Sequence, residues 1–351
     1  MAEYISFQPS DHYSTKLYTG TGSSNAITGV GFQPDIVWLK ARDYAYNHVL
    51  SDAVRGEKQL YPNLPSLQDS NTGEITSFDA DGFTVGTAGQ TNANTRTFAS
   101  WNWKMGTTSG ISGGTITPSS YSFNTTAGQS IIAYTGTGSN ATVPHGLGVA
   151  PECIILKRLN SADNWNVGHI NNHATTPWDY AMKLNNTSSP TNDASIWNDT
   201  APTTTVFSIG TSSEVNTNTS TYIAYCFASI KGYSKFGSYT GNGNADGTFV
   251  YTGFRPAYVL AKNTAGTYNW IVVDNKRSTT GGTNVVDYYL TPNTSDTEGS
   301  SGTSRDLDLL SNGFKFRGDG SEFNGSGVNY IYMAFAEFPI VSSNDVPTVA
   351  R

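Results

Sequence analysis

The chain has 351 residues and a net charge of −7; only 13% of its residues are charged, Gly numbers 36, and Phe, Tyr and Trp together reach 12%. Globular proteins carry roughly 25% charged residues, so this is the profile of a rigid all-β protein with polar but uncharged loops. The acidic balance argues against nucleic-acid binding, which wants a basic stripe. No apolar run approaches the 18 or so residues that span a bilayer. Two cysteines, Cys153 and Cys226, cannot make a disulfide framework and read as buried free thiols.

From the N-terminus onward, Met1-Ala2-Glu3-Tyr4 lacks the charged-then-apolar pattern of a secretion signal. The expectation is a soluble chain made in a cytoplasm, leaving a cell by lysis or as part of a particle. Then comes Tyr18-Thr19-Gly20-Thr21-Gly22, which returns as Tyr134-Thr135-Gly136-Thr137-Gly138 and as Tyr239-Thr240-Gly241-Asn242-Gly243. Each copy has a proline 16 or 17 residues after its Tyr (Pro34, Pro151, Pro256), a lysine six further on (Lys40, Lys157, Lys262), and an asparagine seven beyond that (Asn47, Asn164, Asn269). Each ends in an apolar segment, Phe98–Trp103, Tyr222–Phe227 and Tyr330–Phe335, with a glycine 12 residues before it (Gly86, Gly210, Gly318). Such spacing predicts three copies of one module: residues 1–110, 111–232 and 233–340, followed by an exposed arm, 341–351. Phe7 precedes Tyr18 by the same 11 residues that separate Phe123 from Tyr134, so the first module starts before its motif.

Within a module the pattern is that of strands. Ile36–Lys40, Cys153–Lys157 and Tyr258–Lys262 are short and apolar on both faces, as in a central strand covered on both sides. The proline fits a strand entrance, and the Thr-Gly-x-Gly pieces supply positive φ for a tight turn. Side chains alternate along the closing strand; Ala99, Trp101 and Trp103, with their equivalents Ile223, Tyr225, Phe227 and Ile331, Met333, Phe335, form the bulky face assigned to the core. The expected architecture is all-β, three β-sandwich or jelly-roll-like modules with little or no helix. Residues 105–114 read as a flexible joint, and the short aromatic link 230–236 as a sign of tight packing between the second and third copies.

Chemistry is harder to find. A nucleophile elbow, a zinc-type His-Glu pairing and a phosphate loop are absent from the sequence, and no cofactor, metal site or catalytic residue is expected. His169 and His173 are four apart, but in a predicted loop. His145 reads as a turn residue and His48 as a packing position shared with Trp165 and Trp270. Asp79-Ala80-Asp81-Gly82 resembles a fragment of a calcium loop, though a β-turn needs the same residues. Lys40, Lys157 and Lys262 are either contacts to an acidic partner or strand-end lysines whose stems cover the sandwich edge while the ammonium reaches water or a carboxylate. Trp178 and Trp197 lie in the longest insertion of the second copy and are loop anchors or a ligand-facing patch. The candidate contact set is His169, His173, Trp178 and Trp197.

Several segments carry a resemblance. Phe7-Gln8-Pro9-Ser10-Asp11-His12 leading into Lys16-Leu17-Tyr18-Thr19-Gly20, then Gly31-Phe32-Gln33-Pro34-Asp35, Gly237–Gly243, Tyr251–Pro256, Ser311–Lys315 and Tyr330–Ala336, is similar to a family of repeat proteins encoded by marine tailed bacteriophages. The resemblance spans essentially the whole chain. It implies a virion component of the tail-fibre or appendage kind, assembled in the host cytoplasm, and brings no catalytic residues. With the tripled module it leads to the expectation of a non-enzymatic homo-oligomer, a trimer, touching other virion proteins and a host-surface glycan. The alternatives are a capsid knob or decoration, and a carbohydrate-binding or polysaccharide-degrading protein.

Overall fold

A computed structural model describes residues 8–70, 73–278, 284–300 and 304–337; Phe7 and the arm 341–351 lie outside the described residues. The described chain is all-β, antiparallel throughout, with helical turns of at most four residues. Among the described residues no helix is long and apolar enough to cross a membrane.

Each sequence copy builds one main sheet and one small sheet. In the first, the opening strand Tyr13–Thr19 pairs with the closing strand Thr97–Trp103, which pairs on its other edge with the central strand Ile36–Ala41; Val49–Asp52 and Gly56–Leu60 follow. The second repeats this as Gln129–Thr135, Thr221–Phe227, Cys153–Arg158, Asn166–His169 and Tyr180–Lys183. The third uses Ser234–Thr240, Asn329–Phe335, Tyr258–Asn263 and Trp270–Asp274. Registers agree as well, with Tyr18 opposite Phe98, Tyr134 opposite Tyr222 and Tyr239 opposite Tyr330.

Both faces of every main sheet are buried. On one face, Val37 and Leu39, Ile154 and Leu156, and Val259 and Ala261 pack against the small sheet of their own module. On the other, Ile36 and Trp38, Cys153 and Ile155, and Tyr258 and Leu260 meet in a single core shared by all three modules. Trp101 and Trp103 enter this shared core and are 0% and 2% exposed. So do Tyr13, Phe227 and Phe335, and Trp103 lies edge-on to Tyr258 and Phe335, with centroids 5.6 and 5.7 Å away. The opposite face of the closing strand, Tyr222, Ala224 and Cys226 in the second module, is also core, where only one face was expected to be. The reason is architectural: the main sheets are middle layers, with a small sheet outside and other modules inside. The two cysteines fall on opposite sides of one such layer and are free and buried.

The repeated glycines and tyrosines are explained by one clamp. A fully buried asparagine, Asn92, Asn216 or Asn324, accepts from the amide of the residue between the motif's two glycines, namely Thr21, Thr137 and Asn242, at 2.9, 2.7 and 3.0 Å. Its Nδ2 donates to the carbonyl of the recurrent glycine, Gly86, Gly210 or Gly318. The motif tyrosine donates to the carbonyl just before the same asparagine: Tyr18 to Thr91, Tyr134 to Val215, Tyr239 to Phe323. Positive φ belongs only to the second glycine of the motif (Gly22, Gly138, Gly243). The first is needed for close approach, since a Cβ on Gly20, Gly136 or Gly241 would lie 2.2 to 2.4 Å from a backbone oxygen.

The recurrent lysines face inward. Lys40, Lys157 and Lys262 are fully buried, and each ammonium donates to the next residue's carbonyl (Ala41, Arg158, Asn263) and to one three residues further on (Tyr44, Ser161, Gly266). They close the following loop from within, sealed from solvent. The stretch expected to be a flexible joint is also anchored at its start. Met105 is buried in the shared core and its amide donates to Asp35, while Thr107 bridges to Phe123.

Two outcomes follow. Asn216→Ala leaves the buried Gly210 carbonyl without its partner, worth about 1–3 kcal/mol, and frees the Thr137 amide, so thermal unfolding should shift down by several degrees with the folded spectrum otherwise retained. Desolvation holds all three lysines down to about 8. The unfolded chain therefore keeps more protons than the folded chain between about pH 8 and 10.5, and stability rises with pH there. Buried tyrosines such as Tyr134 and Tyr233 are raised well above 10 by burial, so stability falls once unfolded tyrosines ionise. Urea midpoints should peak between about pH 8 and 10, and Lys262→Met should reduce the rise.

Candidate functional site

The modules are joined by a contact that runs cyclically. Trp101 of the first donates to Asp274 of the third at 2.9 Å, and Tyr225 of the second donates to Asp52 of the first at 2.6 Å. At the same strand position in the second module stands His169, which meets the carbonyl of Tyr332 in the third at 3.1 Å. Its Nδ1 accepts from the Asn171 amide, so Nε2 carries the proton and donates; burial holds the ring down to about 4 and hence neutral. A second ring of contacts repeats the order: Trp165 donates to Tyr61 and Leu64, Trp270 donates to Lys183, and His48 meets Thr291, each across a module boundary.

Modules one and three continue this position into a buried ionic network. Arg55 pairs with Asp52 and Arg277 with Asp274, both at 2.6 Å. Each guanidinium also donates back to its own sheet, at Leu50 or Val272, and forward to a distant side chain, Gln68 or Glu298. The backbone amides of Gln68 and Glu298 then donate across the boundary, to Leu159 at 2.8 Å and to Arg42 at 2.7 Å. Arg42 adds a bidentate pair to Glu298.

The second module replaces all three members. His169 stands for the aspartate, Asn172 for the arginine, and Pro190 for the Gln or Glu. Asn172 still donates to Val167, the counterpart of Leu50 and Val272, at 3.2 Å, and to the Tyr180 carbonyl at 3.0 Å, but is too short to replace the arginine's reach to the Gln or Glu position. Pro190 has no N–H, so the bond across the boundary cannot form. Space that holds a guanidinium and a carboxamide or carboxylate elsewhere is open here, as a cleft of about 430 Å³ between the second and third modules. Pro190 and Asn172 line it from one side, Thr264 and Asn329 from the other. His173 and Tyr180 add a stacked pair of rings, 4.4 Å apart and 10° from parallel. Two gaps inside the shared core, of about 10 and 20 Å³, hold no more than a water.

A family model described as a domain of unknown function (DUF7483) matches residues 8–339. The chain belongs to that family. No curated protein matches it.

Of the contact residues expected from the sequence, the structure of this DUF7483 chain brings only His173 to the cleft. Trp178 and Trp197 are 5% and 1% exposed and cross edge-to-face at 5.9 Å in the second module's own core. An indole with no open face cannot stack on a ligand; both are anchors of the long insertion. His169 is buried at the module boundary, and with His173 it does not make a metal pair. Among the described residues no group of three or more His, Cys, Asp and Glu is placed to hold a metal. Asp81 accepts from the Gly29 and Gly31 amides and Asp79 from the Thr84 hydroxyl, which is turn chemistry. His145 accepts from the Leu147 amide within its turn, and its Nε2 reaches the carbonyl of the distant Thr203.

Arg277→Met should expose the weight of the network on the intact side. It leaves Asp274 buried without its cation, while Glu298 keeps Arg42, a loss of about 3–5 kcal/mol readable by urea denaturation. The corresponding change at the open side, Asn172→Ala, should cost far less.

Proposed function

We propose that this chain is a non-enzymatic structural component of a phage particle, part of a tail fibre or similar appendage that touches the host surface. The observation that carries the reading is the closed ring: three sandwiches share one core in one chain, and each inner face is covered by the other two. Such a unit is rigid and self-contained, as a particle exposed outside cells requires, and its loops are left for contact. The resemblance of its motifs to marine phage repeat proteins supports the same reading. The threefold multiplicity expected of a homotrimer has a counterpart inside the chain. In this proposal, copies associate with one another and with other virion proteins through outer loops, since the apolar module faces are already occupied. Multiple copies on one particle turn weak contacts into strong attachment when geometry lets them engage together.

Mass spectrometry of purified virions from a phage encoding the chain tests this. Recovery at several copies per particle is expected. Absence from the particle, or shortening of a host polysaccharide by the purified chain, overturns it.

A further inference from the structure

We infer that the cleft between the second and third modules is a binding site for a neutral oligosaccharide. Three observations converge there. First, the site exists through coordinated replacement: aspartate, arginine and Gln/Glu at the two closed boundaries become His169, Asn172 and Pro190 at the open one. Proline alone removes the backbone bond; asparagine alone empties the guanidinium space; together they leave a cleft in the roughly 300–1,000 Å³ range of ligand sites. Second, the lining carries no Asp, Glu, Lys or Arg among the described residues. It offers amides and hydroxyls instead, from Asn171, Asn172, Thr264 and Asn329. Such groups donate and accept in mixed directions, which suits sugar hydroxyls and offers an ion no counter-charge. Third, Asn172 is 5% exposed, and its Oδ1 is buried with no hydrogen-bond partner. A buried acceptor left unpaired costs free energy, and a modest turn of the side chain toward the cleft would let a ligand hydroxyl recover it.

The His173–Tyr180 pair supplies the apolar complement, a stacked aromatic surface for the C–H face of a sugar ring. His173 is held in place because its Nδ1 accepts from the turn at Thr175 and Thr176, leaving Nε2 unused by that turn. The biological meaning of the inference, recognition of a host glycan, rests on the attachment reading above; the site itself does not.

The test uses the purified full chain and saturation-transfer NMR with a panel of neutral hexose and N-acetylhexosamine di- to tetrasaccharides, alongside sialylated and sulfated ones. At least one neutral member should bind with a dissociation constant of roughly millimolar or tighter. The double variant Asn172→Arg with Pro190→Gln fills the cleft with the side chains of the other boundaries, although the arginine lacks its aspartate because His169 remains; it should abolish binding, with some loss in melting temperature. Because that variant can fail to fold, His173→Ala and Tyr180→Ala serve as independent probes and should each weaken binding by about tenfold or more. Preference for the charged sugars, no neutral binder at ~10 mM, or wild-type binding by the folded variants overturns the inference. Binding by the isolated chain with absence from virions would instead defeat the attachment reading and leave the site standing.

Discussion

Everything in this molecule depends on sheets that are apolar on both faces. A two-layer sandwich covers one face of each sheet and leaves the other to water. Here the uncovered faces carry Trp38, Trp101, Trp103, Tyr258 and Phe335, and a large aromatic left exposed forgoes roughly 1.5–3 kcal/mol. Three such sheets satisfy one another by facing a common centre. The modules are therefore not beads on a string. Each has a private core on its outer side and shares the inner one.

The polar contacts between modules are secondary in energy but decide geometry. Removing water from the boundary forces every buried polar group to find a partner. The partners recur because the backbone recurs: Trp101 on Asp274, Tyr225 on Asp52, His169 on the Tyr332 carbonyl. The third copy places Met333 where the others have Trp101 and Tyr225, and a thioether cannot donate to a carboxylate. A neutral histidine that finds a backbone carbonyl instead resolves the mismatch. That single accommodation removes the acid that Arg55 and Arg277 pair with elsewhere, so the arginine and its distal partner lose their reason to be there.

Much of the fold was legible in the sequence, because the repeats hold constant spacing wherever strands and their turns require it. Tyr18, Tyr134 and Tyr239, the strand prolines and the closing strands all carried that signal. Asn92, Asn216 and Asn324 carried it too, each six residues before its closing strand, and could have been found by the same count. The double burial of the main sheets was less visible, since a face bearing Ser100, Asn102 or Cys226 does not look apolar. The cleft was invisible for a different reason. From Arg55 to Gln68 is 13 residues, from Asn172 to Pro190 is 18, and from Arg277 to Glu298 is 21. Only the folded chain shows that these three partners occupy one position. The long insertion drew attention to Trp178 and Trp197, which turned out to hold it down.

Joining three modules in one polypeptide has a genetic consequence. In an assembly of identical subunits any substitution appears at every interface at once, and Pro190 there would open three clefts and remove three sets of cross-boundary bonds. In a single gene each boundary can drift alone. Two junctions hold the buried ionic lock and the third has a cleft in its place, so that closed and open boundaries are encoded on separate stretches of the same chain.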